Sequence, residues 1–178
     1  MQKITPMLWF DDQADGAADH YVSVFSKCPG SNRGESKVLD VSRYGEAGPG
    51  PAGSVMVVRF QLEGEEFTAL NGGPQQFAFS EAISFVINCE TQEEVDYFWS
   101  ALTQGGEEGP CGWLKDRFGL SWQVVPTEME KMLNDPDQHK AQRAMKAMLG
   151  MKKLDLAELR RAFEGEPAES KKVPARPR

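Results

Sequence analysis

The sequence predicts an α+β fold made of two copies of one strand–helix–strands unit, followed by helices. Three observations carry that prediction. An apolar strand at 4–10 (ITPMLWF) leads into an amphipathic helix, and a second apolar strand at 82–89 (AISFVINC) leads into another. Displaced by 77 residues, the two segments superpose apolar on apolar, with Leu8 on Phe85, Phe10 on Ile87, Tyr21 on Phe98 and Phe25 on Leu102. Beyond residue 127 the alternating strand pattern gives way to helical periodicity. Repetition at a fixed offset is the mark of a duplicated architecture. Two such units can set their sheets side by side and enclose a cleft.

The elements follow in order. Asp12 stands where it can cap a helix beginning near Gln13. Ala14, Ala18, Tyr21 and Phe25 recur at helical intervals as one buried stripe, and Cys28-Pro29-Gly30 stops it. Residues 37–44 read as a strand, and the Gly/Pro-rich stretch 45–53 as a loop. In 54–62, Met56, Val58, Phe60 and Leu62 take one face while Arg59 and Gln61 share the other. Glu63-Gly64-Glu65 forms a tight turn, and 67–71 returns as a strand closed by Gly72-Gly73-Pro74. In the second unit Thr91 caps the helix, with Glu93 and Glu94 suited to its first turn. Val95, Phe98, Trp99 and Leu102 form its stripe, and Gly105-Gly106 ends it. A strand at 111–115, a turn at 116–119 and a last strand at 120–125 follow, so this unit is the shorter one. Segments 128–133 and 138–149 read as amphipathic helices, with an apolar seam of Ala141, Ala144, Met145, Met148 and Leu149 on the second, and 154–163 as a third short helix. From Glu164 onward the Pro-, Lys- and Glu-rich composition has little to bury, which predicts disorder. The expected division is a first module at 1–74, a shortened second module at 75–126, helices at 127–163 and a tail at 164–178.

A chain of 178 residues that is 40% hydrophobic, with ten Phe, four Trp and three Tyr, can bury a real core. The net charge of -7 argues against nucleic acid, whose phosphates need a basic face. With no run of about 18 apolar residues, no membrane span is expected. The N-terminal MQKITPMLWF has no apolar signal core, so a cytoplasmic protein is expected. Cys28, Cys89 and Cys111 are odd in number and lack C-x-x-C spacing, which implies neither a disulfide framework nor a zinc knuckle.

Several residues can carry chemistry, each beside a plainer reading. Trp9, Trp113 and Trp122 suit stacking on a flat ligand or filling the core. Arg59 and Gln61 can donate to an oxygen-rich ligand or line a solvated face. Cys111, with Lys115 nearby, has the setting of an activated thiol or of a small half-buried residue. Lys115 and Asp116 can simply belong to the turn before the last strand. His20 and His139 sit on helices among charged neighbours, as surface or boundary histidines do. The 45–53 loop follows no parallel strand and opens no helix, so it reads as a hairpin loop rather than a nucleotide cradle for a methyl donor.

The runs LNGGP (70–74), AISFVINC (82–89), CGWLKDRFGLSWQVVP (111–126) and DPDQHKAQRAMKAML (135–149) resemble the PhnB-like branch of the vicinal oxygen chelate superfamily. Many members of that branch carry the label demethylubiquinone methyltransferase-like. The superfamily also includes glyoxalase I, extradiol dioxygenases and bleomycin-resistance proteins. The resemblance covers about residues 3–160. It implies paired βαβββ modules forming a curved mixed sheet around a cup-shaped cleft, with C-terminal helices, and a homodimer. Where the superfamily does chemistry, His, Glu or Gln on cleft-facing strand positions hold a divalent metal that polarises the substrate's oxygens. Carried over strand by strand, those positions are Met7 and Trp9, then Ala69 and Asn71, then Ser84, then Gln123. One amide, one Asn and one Ser among apolar residues make a poor divalent site, so the metal centre is expected to be absent and no cofactor is expected.

The resulting expectation is a metal-independent small-molecule-binding protein for an aromatic, quinone-like or oxygen-rich ligand. Trp9, Arg59, Asn71, Ser84, Trp113 and Gln123 are its candidate binding residues. Neither nucleic acid nor membrane is an expected partner. Two alternatives stand beside it: an enzyme of the same fold with Gln123 and Cys111 as candidate catalytic groups, and a dimeric interaction protein whose cleft its own side chains fill.

Overall fold

Duplication is written into the hydrogen-bond ladders. The computed structural model describes residues 2–30 and 34–166, so most of the tail expected beyond Glu164 lies outside the described residues. The first unit runs β1 (Met7–Phe10), α1 (Ala14–Ser26), β2 (Lys37–Arg43), β3 (Val55–Leu62) and β4 (Glu65–Asn71). The second runs β5 (Phe85–Cys89), α2 (Gln92–Thr103), β6 (Glu107–Glu108), β7 (Trp113–Lys115) and β8 (Ser121–Pro126). Helices α3 (Thr127–Leu133), α4 (Gln138–Leu149) and α5 (Leu156–Glu164) follow.

Each unit is a four-stranded mixed sheet with one strand order, β1-β4-β3-β2 in the first and β5-β8-β7-β6 in the second. In both, the opening strand lies parallel to the last and the remaining pairs are antiparallel. The curved sheet is therefore divided in two. The second unit is the shorter, because β6 has 2 residues and β7 has 3 where β2 has 7 and β3 has 8.

Local chemistry explains most boundaries. On β3, Val58, Phe60 and Leu62 are buried and Arg59 is exposed, as alternation requires. Glu63 at φ 48° and Gly64 at φ 93° turn β3 into β4 with both residues left-handed, the turn whose twist matches an antiparallel pair. Thr91 caps α2, its side chain accepting from the Glu94 amide at 3.2 Å. Helix α1 is capped differently. Gln13, not Asp12, holds the cap position and offers no side-chain bond. The Ala14 amide donates instead to Asn71 Oδ1 at 2.7 Å. The register causes this, since β4 lies beside β1 with Asn71 opposite Phe10, where the chain turns into α1.

One apolar core joins the helix sides of both sheets. Leu8, Phe10, Phe60 and Ala69 from the first sheet, Ile87, Leu114, Trp122 and Val124 from the second, and the stripes of α1 and α2 belong to it. Ring contacts cross the junction, with centroids 4.9 Å apart for Phe25–Phe98, 5.4 Å for Tyr21–Trp122 and 5.2 Å for Phe67–Phe85. Because both sheets turn their helix sides to this core, the opposite side of each is open. A second cluster of Met129, Met132, Ala144, Leu154, Leu156 and Leu159 builds the C-terminal helices. Their connecting segment is tied to the second unit, as the Cys111 amide donates to Met151 O and the Gly112 amide to Lys152 O, each at 2.8 Å. No helix among the described residues is long and apolar enough to cross a membrane.

Candidate functional site

The open side of the second sheet gathers three of the residues that the sequence singles out. Along β8, Trp122 and Val124 enter the core, so Ser121 and Gln123 take the other side. The ladders place Gln123 opposite Val86 on β5 and Trp113 on β7. Gln123 Nε2 donates to Ser84 Oγ at 2.9 Å, with both residues half-buried. Next to this patch is a cavity of about 370 Å³ lined by Glu81, Glu107, Pro110, Trp113, Lys115 and Ser121. Lys115 Nζ lies 2.5 Å from Glu81 Oε1, and that pairing raises the lysine's pKa and lowers the glutamate's. Glu81 precedes β5 while Lys115 is on β7, so the ion pair spans the intervening β8 at Ser121, the ladder partner of Lys115.

The first-unit candidates lie elsewhere, and most of their polar atoms are committed. Trp9 Nε1 donates to Gly73 O at 2.9 Å, and its ring presses on Gly72 so closely that a Cβ there would come within 2.2 Å. Asn71 caps α1 through Oδ1 and donates through Nδ2 to Val55 O at 3.2 Å. Arg59 pairs with Glu66 at 3.0 Å on an exposed face. Gln61 donates to Glu35 O at 2.7 Å. Ala69 and Asn71 register with Leu8 and Phe10, on the helix side of the sheet, whereas Thr68 and Leu70 register with Met7 and Trp9. The three tryptophans do not converge, because Trp9 is on the first sheet, Trp113 on the open side of the second, and Trp122 in the core.

Cys111 sits at φ 56° in the turn bonded to the C-terminal segment, and the nearby lysine is engaged by Glu81. His20 packs on Tyr21 and Phe118, with centroids 5.8 Å away in each case. Burial first, then Arg117, lowers its pKa, while Asp116 opposes them. His139 is exposed on α4.

Sequence reading did not foresee the role of Asp116. Its carboxylate is only 3% exposed and receives Tyr21 OH at 2.7 Å, Trp122 Nε1 at 2.8 Å, the Phe118 amide at 2.8 Å and the Leu120 amide at 3.1 Å. One side chain thus ties α1 of the first unit to β8 of the second. Burial and Asp116 push the Tyr21 hydroxyl's pKa up, keeping it a donor. The Asp116-Arg117-Phe118-Gly119 turn was legible, but nothing in the sequence joins it to Tyr21.

Two cofactor classes can be tested against these residues. Among the described residues, no group of three or more His, Cys, Asp or Glu is placed to hold a metal ion. Met7, Trp9, Ala69, Asn71, Ser84 and Gln123 supply no charged ligand, so one chain's donor set does not fit a divalent ion. A methyl donor's cradle fits no better. Loop 45–53 joins the antiparallel β2 and β3, and a Cβ at Gly48 or Gly50 would lie 2.6 or 2.5 Å from the Tyr44 ring. Those glycines let the loop wrap the ring, and no helix follows to receive a phosphate or carboxylate.

Residues 2–125 match the family described as 3-demethylubiquinone-9 3-methyltransferase. The chain is similar to the solved structure of a putative 3-demethylubiquinone-9 3-methyltransferase, PhnB protein, from Bacillus cereus. Identity is 34%, the TM-score is 0.60, and the likeness covers 71% of this chain and 100% of that one. A Pseudomonas aeruginosa protein at 21% identity and TM-score 0.56, covering 71% of this chain and 98% of that one, shares the fold. No curated protein matches the chain. The matched span ends within β8, so α3, α4 and α5 stand outside it.

Proposed function

Because this chain belongs to the 3-demethylubiquinone-9 3-methyltransferase family, in the PhnB-like branch of the vicinal oxygen chelate superfamily, we propose that it binds a small molecule without a divalent metal. The ligand lies on the open side of the second sheet, against Gln123, Ser84 and Trp113. The Gln123–Ser84 pair carries this reading. Among the described residues, their mutual bond leaves the amide oxygen of Gln123 and the hydroxyl hydrogen of Ser84 uncommitted. An acceptor and a donor side by side, flanked by an indole, suit a flat oxygen-bearing ligand. Asn71, by contrast, has both its amide atoms engaged. The family's name speaks of methyl transfer, but these residues offer no cradle for the donor, so that activity is not carried over.

A second copy completes the site in this reading. Strands β1 and β5 are sheet edges. On or beside them Met7 is 62% exposed, Ile83 71% and Val86 49%. An apolar sheet edge invites pairing with another chain, and a first-unit face from a second copy would roof the Gln123 patch.

The test is a thermal-shift screen of oxygenated aromatic compounds, since a ligand that binds only the folded state must raise its stability. Gln123→Ala and Ser84→Ala should abolish the shift given by a hit. A shift that survives in both variants would remove the ligand from this patch. Stoichiometric tight uptake of zinc or nickel would overturn metal independence, and a monomer mass by light scattering at micromolar concentration would overturn the dimer.

A further inference from the structure

We infer that the cavity beside Trp113 takes a neutral, planar, oxygen-bearing ring compound and rejects its anionic analogues, with Ser121 Oγ as the hydrogen-bonding group at its floor. The inference rests on the reading that the open side of the second sheet is the ligand face, and it names the ligand class for that face.

The first observation is an orphan atom. Ser121 is 1% exposed, lines the cavity, and its Oγ has no hydrogen-bond partner among the described residues. Buried hydroxyls are nearly always bonded, and one that is not calls for a reason. Packing does not supply it, because alanine would fill the same place with nothing left unpaired. Position does. Ser121 opens β8 two residues before Gln123 and so shares its side of the sheet. Its ladder partner Lys115 is paired with Glu81.

The second observation is charge. Lys115 is held by Glu81 and stands opposite Glu107 in the β6–β7 ladder. Glu108 accepts from Trp99 Nε1 at 3.2 Å and lies 3.5 Å from Lys152. Each lysine facing this region is already matched by a carboxylate, and Glu107 adds a further negative charge. An anion entering here would have to lose its water beside carboxylates or break the Glu81–Lys115 pair to gain a counter-charge. A neutral ring meets neither obstacle. Trp113 and Pro110 offer it flat apolar surface, and Ser121 offers one hydroxyl that both donates and accepts. The volume of about 370 Å³ falls within the about 300–1,000 Å³ usual for small-ligand sites.

Naphthol and naphthoate make a suitable probe pair near neutral pH, because they share a ring system and differ in charge. Titration calorimetry on the full chain should show naphthol binding at one site per chain and naphthoate binding at least about tenfold more weakly. Ser121→Ala should weaken naphthol about tenfold, the factor one net hydrogen bond supplies. The same variant should melt no lower than the parent, since it strips no group of a partner. That combination separates a ligand-binding hydroxyl from a structural one. Glu107→Gln should raise naphthoate affinity severalfold. Naphthoate binding as tightly as naphthol would overturn the ligand class, and unchanged naphthol affinity in Ser121→Ala would overturn the role of the hydroxyl. Failure of both probes to bind would overturn the inference as a whole. If naphthoate binds and Gln123→Ala abolishes it, the ligand face stands and only the neutral class falls.

Discussion

The two units share a strand order and differ in how their polar groups are used. In the first, long β2 and β3 strands carry a full ladder, and the conspicuous side chains are occupied by the unit's own structure. Asn71 caps a helix, Trp9 bonds to Gly73 and Arg59 pairs with Glu66. In the second, β6 and β7 are cut to 2 and 3 residues, and those short strands line the cavity beside Trp113. There the side chains of Gln123 and Ser84 bond to each other, and among the described residues Ser121 Oγ has no hydrogen-bond partner. The segment joining α4 to α5, which lies beyond the family match, accepts from the Cys111 and Gly112 amides through Met151 O and Lys152 O. Duplication supplied one frame twice, and the copies differ in how far their own structure occupies their polar side chains.

The largest test of this contrast falls on the joint between the copies. Asp116→Ala would strip partners from the Tyr21 hydroxyl, the Trp122 N–H and two backbone amides. With about 1–3 kcal/mol for each buried donor left unpaired, and some of them re-bonding to water in the cavity, the expected loss is about 4 kcal/mol in denaturant unfolding. A loss below about 1 kcal/mol would mean that the apolar junction alone holds the units together.

The two helix caps give a smaller and more pointed comparison. Thr91→Ala removes a local cap from α2 and should cost about 1 kcal/mol. Asn71→Ala removes the cap of α1 together with the bond to Val55 O, and should cost about 2 kcal/mol. Equal losses would show that reaching across from β4 adds nothing to capping from within the helix's own segment.

These two caps also mark what the sequence could disclose. Thr91 lies three residues before the amide it caps, so its role is visible in any local window. Asn71 lies 57 residues from Ala14, and Asp116 lies 95 from Tyr21, so those roles exist only once the register is known. The same distinction runs through the strands. The alternation of Val58, Phe60 and Leu62 declares its buried side, while the cleft-facing expectation for Ala69 and Asn71 yields to pairing with Leu8 and Phe10, which sets them on the helix side. Gln123 and Ser84 were nameable as candidates from family resemblance, and Trp113 from its ring. Ser121 was not, because its burial and its unpaired hydroxyl follow from the sheet register and not from any local pattern.

The smallest expected effect concerns one superposed position, where the same displacement sets His20 on Tyr97. Tyr97 donates to Val24 O at 2.7 Å and bonds one helix to the other. Tyr97→Phe should therefore cost about 1 kcal/mol at every pH from about 5 to 7, where a tyrosine does not titrate. His20 contributes differently. Burial and Arg117 lower its pKa beneath the ordinary value of 6.5, so the unfolded chain binds its proton more readily than the folded one. Stability from this source is complete above 6.5 and is lost as pH falls below it. The carboxylates whose pKa values are lowered, Glu81, Asp96, Glu128 and Asp137, titrate beneath this window. The melting temperature of the parent chain should thus decline from about pH 7 to about pH 5, and that of His20→Phe should decline less. Parallel declines in the two proteins would place the pH sensitivity outside the first unit and remove this difference between the copies.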